Sequence, residues 1–206
     1  MSKRLTSAHG SLLVAAAIVA ACAGDQAFVA PRLGDGAPPL GVVTNPSGAP
    51  VLPIHRAVPL TQDRSWSFDV GPAGTVVRDG PTGLTIEVPA GAVSESTHIT
   101  VIALKGAPLA YRFEPHGLQF PVPIHLVQSL RGLNVRSGVL GIPPLFGGYF
   151  ADDSLSTDSA TGVARVLEVL PVLIDVKDHA AILDVHHFSG YTVASQAKDS
   201  LNAGPR

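Results

Sequence analysis

One cysteine in 206 residues excludes an internal disulfide, and with it the small stapled folds of many secreted proteins. Charge is scarce as well. Asp, Glu, Lys and Arg make up 15% of the chain, against about 25% in an ordinary soluble domain. The formal net charge is −2 and the charges are dispersed, so there is neither a basic patch for nucleic acid nor an acidic block for a solvating tail. There is no Gly-x-Ser-x-Gly elbow, no Walker loop and no dinucleotide fingerprint. A hydrolase reading therefore has no motif behind it. The longest apolar run is too short for a membrane-spanning helix, which needs about 20 residues.

What the chain does have is 21 Gly and 18 Pro. That suits short strands joined by many turns. It also has an export signal. Lys3 and Arg4 precede an unbroken apolar or small stretch, residues 11–21, and this should be left out of fold reasoning. The stretch runs into Val19-Ala20-Ala21-Cys22, which resembles the lipobox of bacterial lipoproteins. The resemblance implies lipid attachment at Cys22, cleavage before it, and a membrane anchor. With Ala23 and not Asp after the cysteine, it implies the outer membrane if the host has one. A thiolate suits the role as the best nucleophile in the chain. Two or more acyl chains hold stably where one does not. The alternative is ordinary cleavage at Ala21-Cys22-Ala23, leaving a soluble secreted protein.

Four segments are expected: a signal peptide (1–21), the lipidated Cys with a flexible linker (22–64), a domain (65–195) and a disordered tail (196–206). Eleven of the 29 residues from Pro31 to Pro59 are Pro or Gly. Such a segment buries too little apolar surface to offset its ordering entropy. From Ser65 period-two alternation begins: Trp66, Phe68 and Val70; Leu84, Ile86 and Val88; Leu109, Tyr111 and Phe113; Val122, Ile124 and Leu126. Ile99 to Leu104 and Val169 to Val176 are more apolar and are expected to be central strands. Turn residues recur about every ten positions, so the fold class is all-β, an antiparallel β-sandwich. Asp152 to Val169 reads as either a short helix or a long loop.

Two stretches resemble the ZU-five domain, a β-sandwich found in ankyrins, netrin receptors and zona-occludens scaffolds. They are Gly83 to Val93 with the following Thr97–Val101 strand, and Glu114-Pro-His-Gly-Leu-Gln-Phe120 with Pro123 to Leu126. Glu114 stands where many members have Gly. The resemblance covers about 55 residues and implies a sandwich of interaction-module character, without implying a cytoskeletal ligand. Independently of it, Pro89 and Pro115 stop strand pairing, Gly91 and Gly117 suit tight corners, and Phe113, Leu118 and Phe120 are expected in the core.

Chemistry has one place to hide. His187-Phe188-Ser189-Gly190 resembles the self-cleavage site of some ZU-five-containing signalling proteins and of certain nucleoporins. The resemblance implies attack by the Ser189 hydroxyl on the Phe188 carbonyl, with His187 as base and Gly190 permitting a kink. In a regular strand, however, residues i and i+2 lie about 6.6 Å apart, so His187 needs a bend to reach Ser189. Alternation also puts Phe188 opposite them, which asks for a bulge or for two covered faces. The plainer reading is that Phe188 plugs the core as the last strand, Tyr191 to Ser195, begins.

His98, His116, His125, His179, His186 and His187 show no zinc-site spacing. Asp152, Asp153 and Asp158 could meet Ca²⁺ in a Ser/Thr-rich loop, but the EF-hand pattern is missing. No metal and no cofactor are expected. Function is expected to be a displayed, non-enzymatic binding or structural module for an unknown protein or glycan ligand, with recognition on loops and polar strand faces. The alternative is an autoproteolytic module.

Overall fold

The computed structural model describes residues 43–135, 144–151 and 153–196. The expected signal peptide, Cys22 and residues 197–206 lie outside these. Fourteen strands and no helix run through the described residues: β1 (Val43–Pro53), β2 (His55–Leu60), β3 (Arg64–Val70), β4 (Thr75–Asp79), β5 (Leu84–Val88), β6 (Thr97–Ala103), β7 (Gly106–Pro108), β8 (Ala110–Glu114), β9 (Gln119–Ser129), β10 (Leu133–Asn134), β11 (Leu145–Phe150), β12 (Ala164–Asp175), β13 (Ala180–His187) and β14 (Gly190–Gln196).

The strands form because alternation gives each a face to bury. In β5, Leu84, Ile86 and Val88 are buried while Thr85 and Glu87 are half-buried. All pairings between strands are antiparallel, in the order β3-β6-β8-β14-β1-β12-β13-β9-β5-β4. β12 is the corner: Ala164 to Val169 pairs with β1, and Val172 to Asp175 with β13. One strand therefore serves both layers of an all-β sandwich. β1, β12, β11 and β14 also close a ring of pairings, around a small core of Val51, Ala164, Val166 and Ala194. Gly148 belongs in that ring because a Cβ there would lie 2.6 Å from Val166 Cγ1. A small sheet, β10-β2-β7, stands apart from the main one.

The main core holds Ile86, Ile99, Val101, Leu109, Phe113, Ile124, Val185 and Phe188, each 1% exposed or less. Burying side chains of this size contributes about 1.5–3 kcal/mol each. Phe113 and Phe120 are core, as expected, with Leu118 packed against them. Gly91 and Gly117 take φ of 82° and 78°, the left-handed corner that only glycine adopts without cost.

Two expectations need correction. Residues 43–60, expected in the linker, are strands β1 and β2. Val51 and Ile54 among them are 3% and 5% exposed, so this segment does bury apolar surface despite its prolines. The β1 ladder absorbs the irregular stretch by a register shift between Thr44 and Ala49. Val169 to Asp175 is part of β12, which lies inside the sheet order between β1 and β13 as expected of a central strand, although Leu173 is 68% exposed. Past the corner, β12 keeps one face to solvent. Of the segment Asp152 to Val169, open between a short helix and a long loop, Ala164 to Val169 instead open strand β12, and residues 153–163 hold no helix. They are loop with a single bridge, Thr157 to Ala164.

Candidate functional site

β13 ends at His187 after a register shift against β9 between Val185 and His187, the bulge that the alternation required. Phe188 and Ser189 then cross to β14. Phe188 N–H donates to Leu118 O at 2.8 Å, and Phe188 O accepts the Gly117 N–H at 2.8 Å. Ser189 O accepts the Phe113 N–H at 3.0 Å. The Phe188 ring stacks on Phe113 at 5.1 Å and meets Phe120 edge-on at 4.6 Å. Both Phe188 and Ser189 are fully buried.

The imidazole at Ser189 is His116, not His187. Ser189 Oγ lies 2.9 Å from His116 Nε2 and 3.1 Å from Phe150 O. His187 is taken up elsewhere. Its carbonyl accepts the Tyr191 hydroxyl at 2.6 Å, its Nδ1 lies 3.3 Å from the same oxygen, and its ring meets Tyr149 edge-on at 5.0 Å. Gly190 is not there for a kink either. Its φ is not left-handed, and a Cβ would lie 2.2 Å from the Phe150 ring. Close packing is what requires glycine.

Ser189 has one proton and two neighbours able to accept it. When His116 Nε2 carries a proton it donates to Ser189 Oγ, and the hydroxyl donates to Phe150 O. When Nε2 is bare, the hydroxyl proton can go to His116 instead. In that second state the groups for acyl transfer are present: a nucleophile, a base, and an amide N–H (Gly117) on the carbonyl that would be attacked. The carbonyl of that peptide is held by the Gly117 N–H, and neither Phe188 nor Ser189 has positive φ.

A second feature lies beside it. Tyr111, Tyr191 and Tyr149, the chain's three tyrosines, are cross-strand neighbours in one row that ends on Glu168. Burial pushes the Tyr191 phenol well above its ordinary range, with the charges of Glu168 and Tyr149 acting the same way. Tyr111 is also pushed up by burial. Its hydroxyl donates to Gln128 Oε1 at 2.8 Å. Tyr111 and Tyr191 act as buried hydrogen-bonding groups.

No protein-family model and no curated protein matches this chain. Among the described residues no group of three or more His, Cys, Asp or Glu could hold a metal. Asp153 pairs with Arg112 at 3.1 Å, and Asp158 caps its own turn through the Ala160 and Thr161 amides, so these two carboxylates serve separate structural tasks. Asp152 lies outside the described residues. Among the described residues no helix is long and apolar enough to cross a membrane.

Proposed function

We propose that this chain is an exported lipoprotein, anchored through lipid on Cys22 in the cell envelope, whose β-sandwich is a non-enzymatic binding or structural module of ZU-five-like character. Its partners are the membrane and an unidentified protein or glycan, with no nucleic acid. The observation that carries the reading is the placement of the only cysteine directly after the apolar stretch 11–21. The sandwich supports the module half, since Phe188 and Ser189 serve there as core plug and cross-link. The test is the intact mass of the full chain expressed in a bacterial host and extracted from membranes. A mass from Cys22 plus acyl groups is expected. An unacylated chain recovered outside the membrane fraction would replace the anchor with soluble secretion.

The contact between Ser189 and His116 favours a second reading, self-cleavage. Ser189 Oγ would bond to the Phe188 carbonyl carbon and give its proton to His116. The carbon–nitrogen bond would then break, with His116 returning the proton to the Ser189 amine. Water would hydrolyse the resulting ester, leaving a Phe188 carboxylate and a free Ser189 amine. β14 pairs with β8, β11 and β1, so a cut chain would stay assembled, and the readout must be denaturing. A single uncut chain in both wild type and Ser189→Ala would eliminate this reading.

A further inference from the structure

Arg56 in β2 is 7% exposed. Its guanidinium is held by backbone carbonyls. Nη1 donates to Leu104 O, Gly106 O and Pro108 O, and Nη2 to Ala110 O at 3.4 Å. Nε is buried without a partner. The Tyr111 ring lies beneath at 5.7 Å. Among the described residues no carboxylate pairs with it. Carbonyl dipoles orient a buried cation but leave its charge uncompensated, and a buried charge without a counter-charge is costly. Burial accordingly pulls the Arg56 pKa below its ordinary value.

Arg56 lines a cleft of about 350 Å³ between β2, the turn Gly80–Gly83, and the β9–β10 turn. Arg131, exposed and without an ion pair among the described residues, lines it too. No carboxylate does. Ser129 lines it as well. Its Oγ accepts the Arg131 N–H at 3.3 Å, leaving its own proton to donate. Leu60, Leu133 and Val58 supply an apolar side, and Val58 is 81% exposed. By contrast, a cleft of about 400 Å³ on the outer sheet face is lined by Glu87, Asp175, Asp178 and Asp184, so the two clefts differ in sign. A small concave site with convergent donors and an apolar wall is what a small-molecule ligand needs.

We propose that the Arg56–Arg131 cleft binds a small organic carboxylate with a short apolar body. The carboxylate supplies the negative charge that the two guanidinium groups lack, and Leu60, Val58 and Leu133 cover the tail. The site is independent of the anchor at Cys22.

The experiment uses the full chain carrying Cys22→Ser, with hexanoate as probe and hexanamide as its uncharged counterpart, followed by amide NMR. Hexanoate is expected to shift the amides of Gly80, Gly83 and Gly132, and to bind at least fivefold more tightly than hexanamide. Arg131→Ala, an exposed substitution checked by its unchanged spectrum elsewhere, should weaken hexanoate at least fivefold and leave hexanamide unchanged. Equal binding of the two probes, shifts confined to other surfaces, or an unaffected Arg131→Ala protein would each overturn the proposal.

Discussion

Arg64 and Asp79 tie together the two edge strands of the sandwich. Arg64, at the start of β3, donates from Nη2 to Asp79 Oδ1 at 2.8 Å and from Nε to Oδ2 at 3.2 Å. Asp79, at the end of β4, also accepts the Thr82 N–H at 3.1 Å. β3 and β4 are the two ends of the main sheet order. The bidentate pair therefore joins its open edges, where unpaired strands are otherwise a liability.

The Arg64 guanidinium holds the Asp79 carboxyl below its ordinary value of 3.8, against the opposing effect of burial. A carboxylate with a depressed folded-state pKa adds stability that is complete above the unfolded value and is lost as pH falls through the folded one. Stability should thus drop below about pH 4, and Asp79→Ala should lose that part of the acid dependence. The same variant should cost about 2 kcal/mol at neutral pH, read by urea unfolding at pH 7 and pH 3.

Ser189→Ala should remove the cross-link to His116 and Phe150 while keeping the fold. A loss of about 1 kcal/mol is expected, the usual worth of such hydrogen bonds, measured by thermal unfolding. His116→Ala should lose less, because the hydroxyl can still donate to Phe150 O. A His116→Ala cost well above that of Ser189→Ala would contradict this assignment of donors.

Phe188 is fully buried between Phe113 and Phe120. Phe188→Ala should therefore cost about 3–5 kcal/mol through lost burial and the cavity left behind. Denaturant midpoints will show it. A cost under 1 kcal/mol would mean that the ring does not plug the core.

Gly74 and Gly132 both have positive φ, 76° and 73°, yet alanine should be tolerated at one only. At Gly74 a Cβ would lie 2.2 Å from Val88 O and 2.7 Å from Pro89 C, which are backbone atoms that cannot swing away. At Gly132 it would meet nothing within 4 Å. Gly132→Ala should cost about 1–2 kcal/mol from left-handed strain alone, while Gly74→Ala should yield little folded protein. Circular dichroism of the two purified variants separates them.

Legibility from sequence followed the range of the interaction. The alternation of Leu84, Ile86 and Val88, and the left-handed corners at Gly91 and Gly117, could be read because pleat and turn are decided within a few residues. β1 and β2 could not. Their prolines and glycines suggest a coil, and only pairing with β12, β14, β7 and β10 makes them strands. The bulge before Phe188 was visible as a conflict in the alternation, but the partner of Ser189 was not.

By itself, then, the sequence determined the all-β class, the strand rhythm, the exclusion of an internal disulfide and the position of the one cysteine. All of these are properties of composition or of neighbours along the chain. Tertiary structure decided that Ser189 meets His116, 73 positions away, that Arg56 lies buried among four carbonyls, and that Arg64 clasps Asp79. Those contacts exist only after distant strands close on one another. No local pattern marks them, because the chain between the partners imposes no period on their spacing.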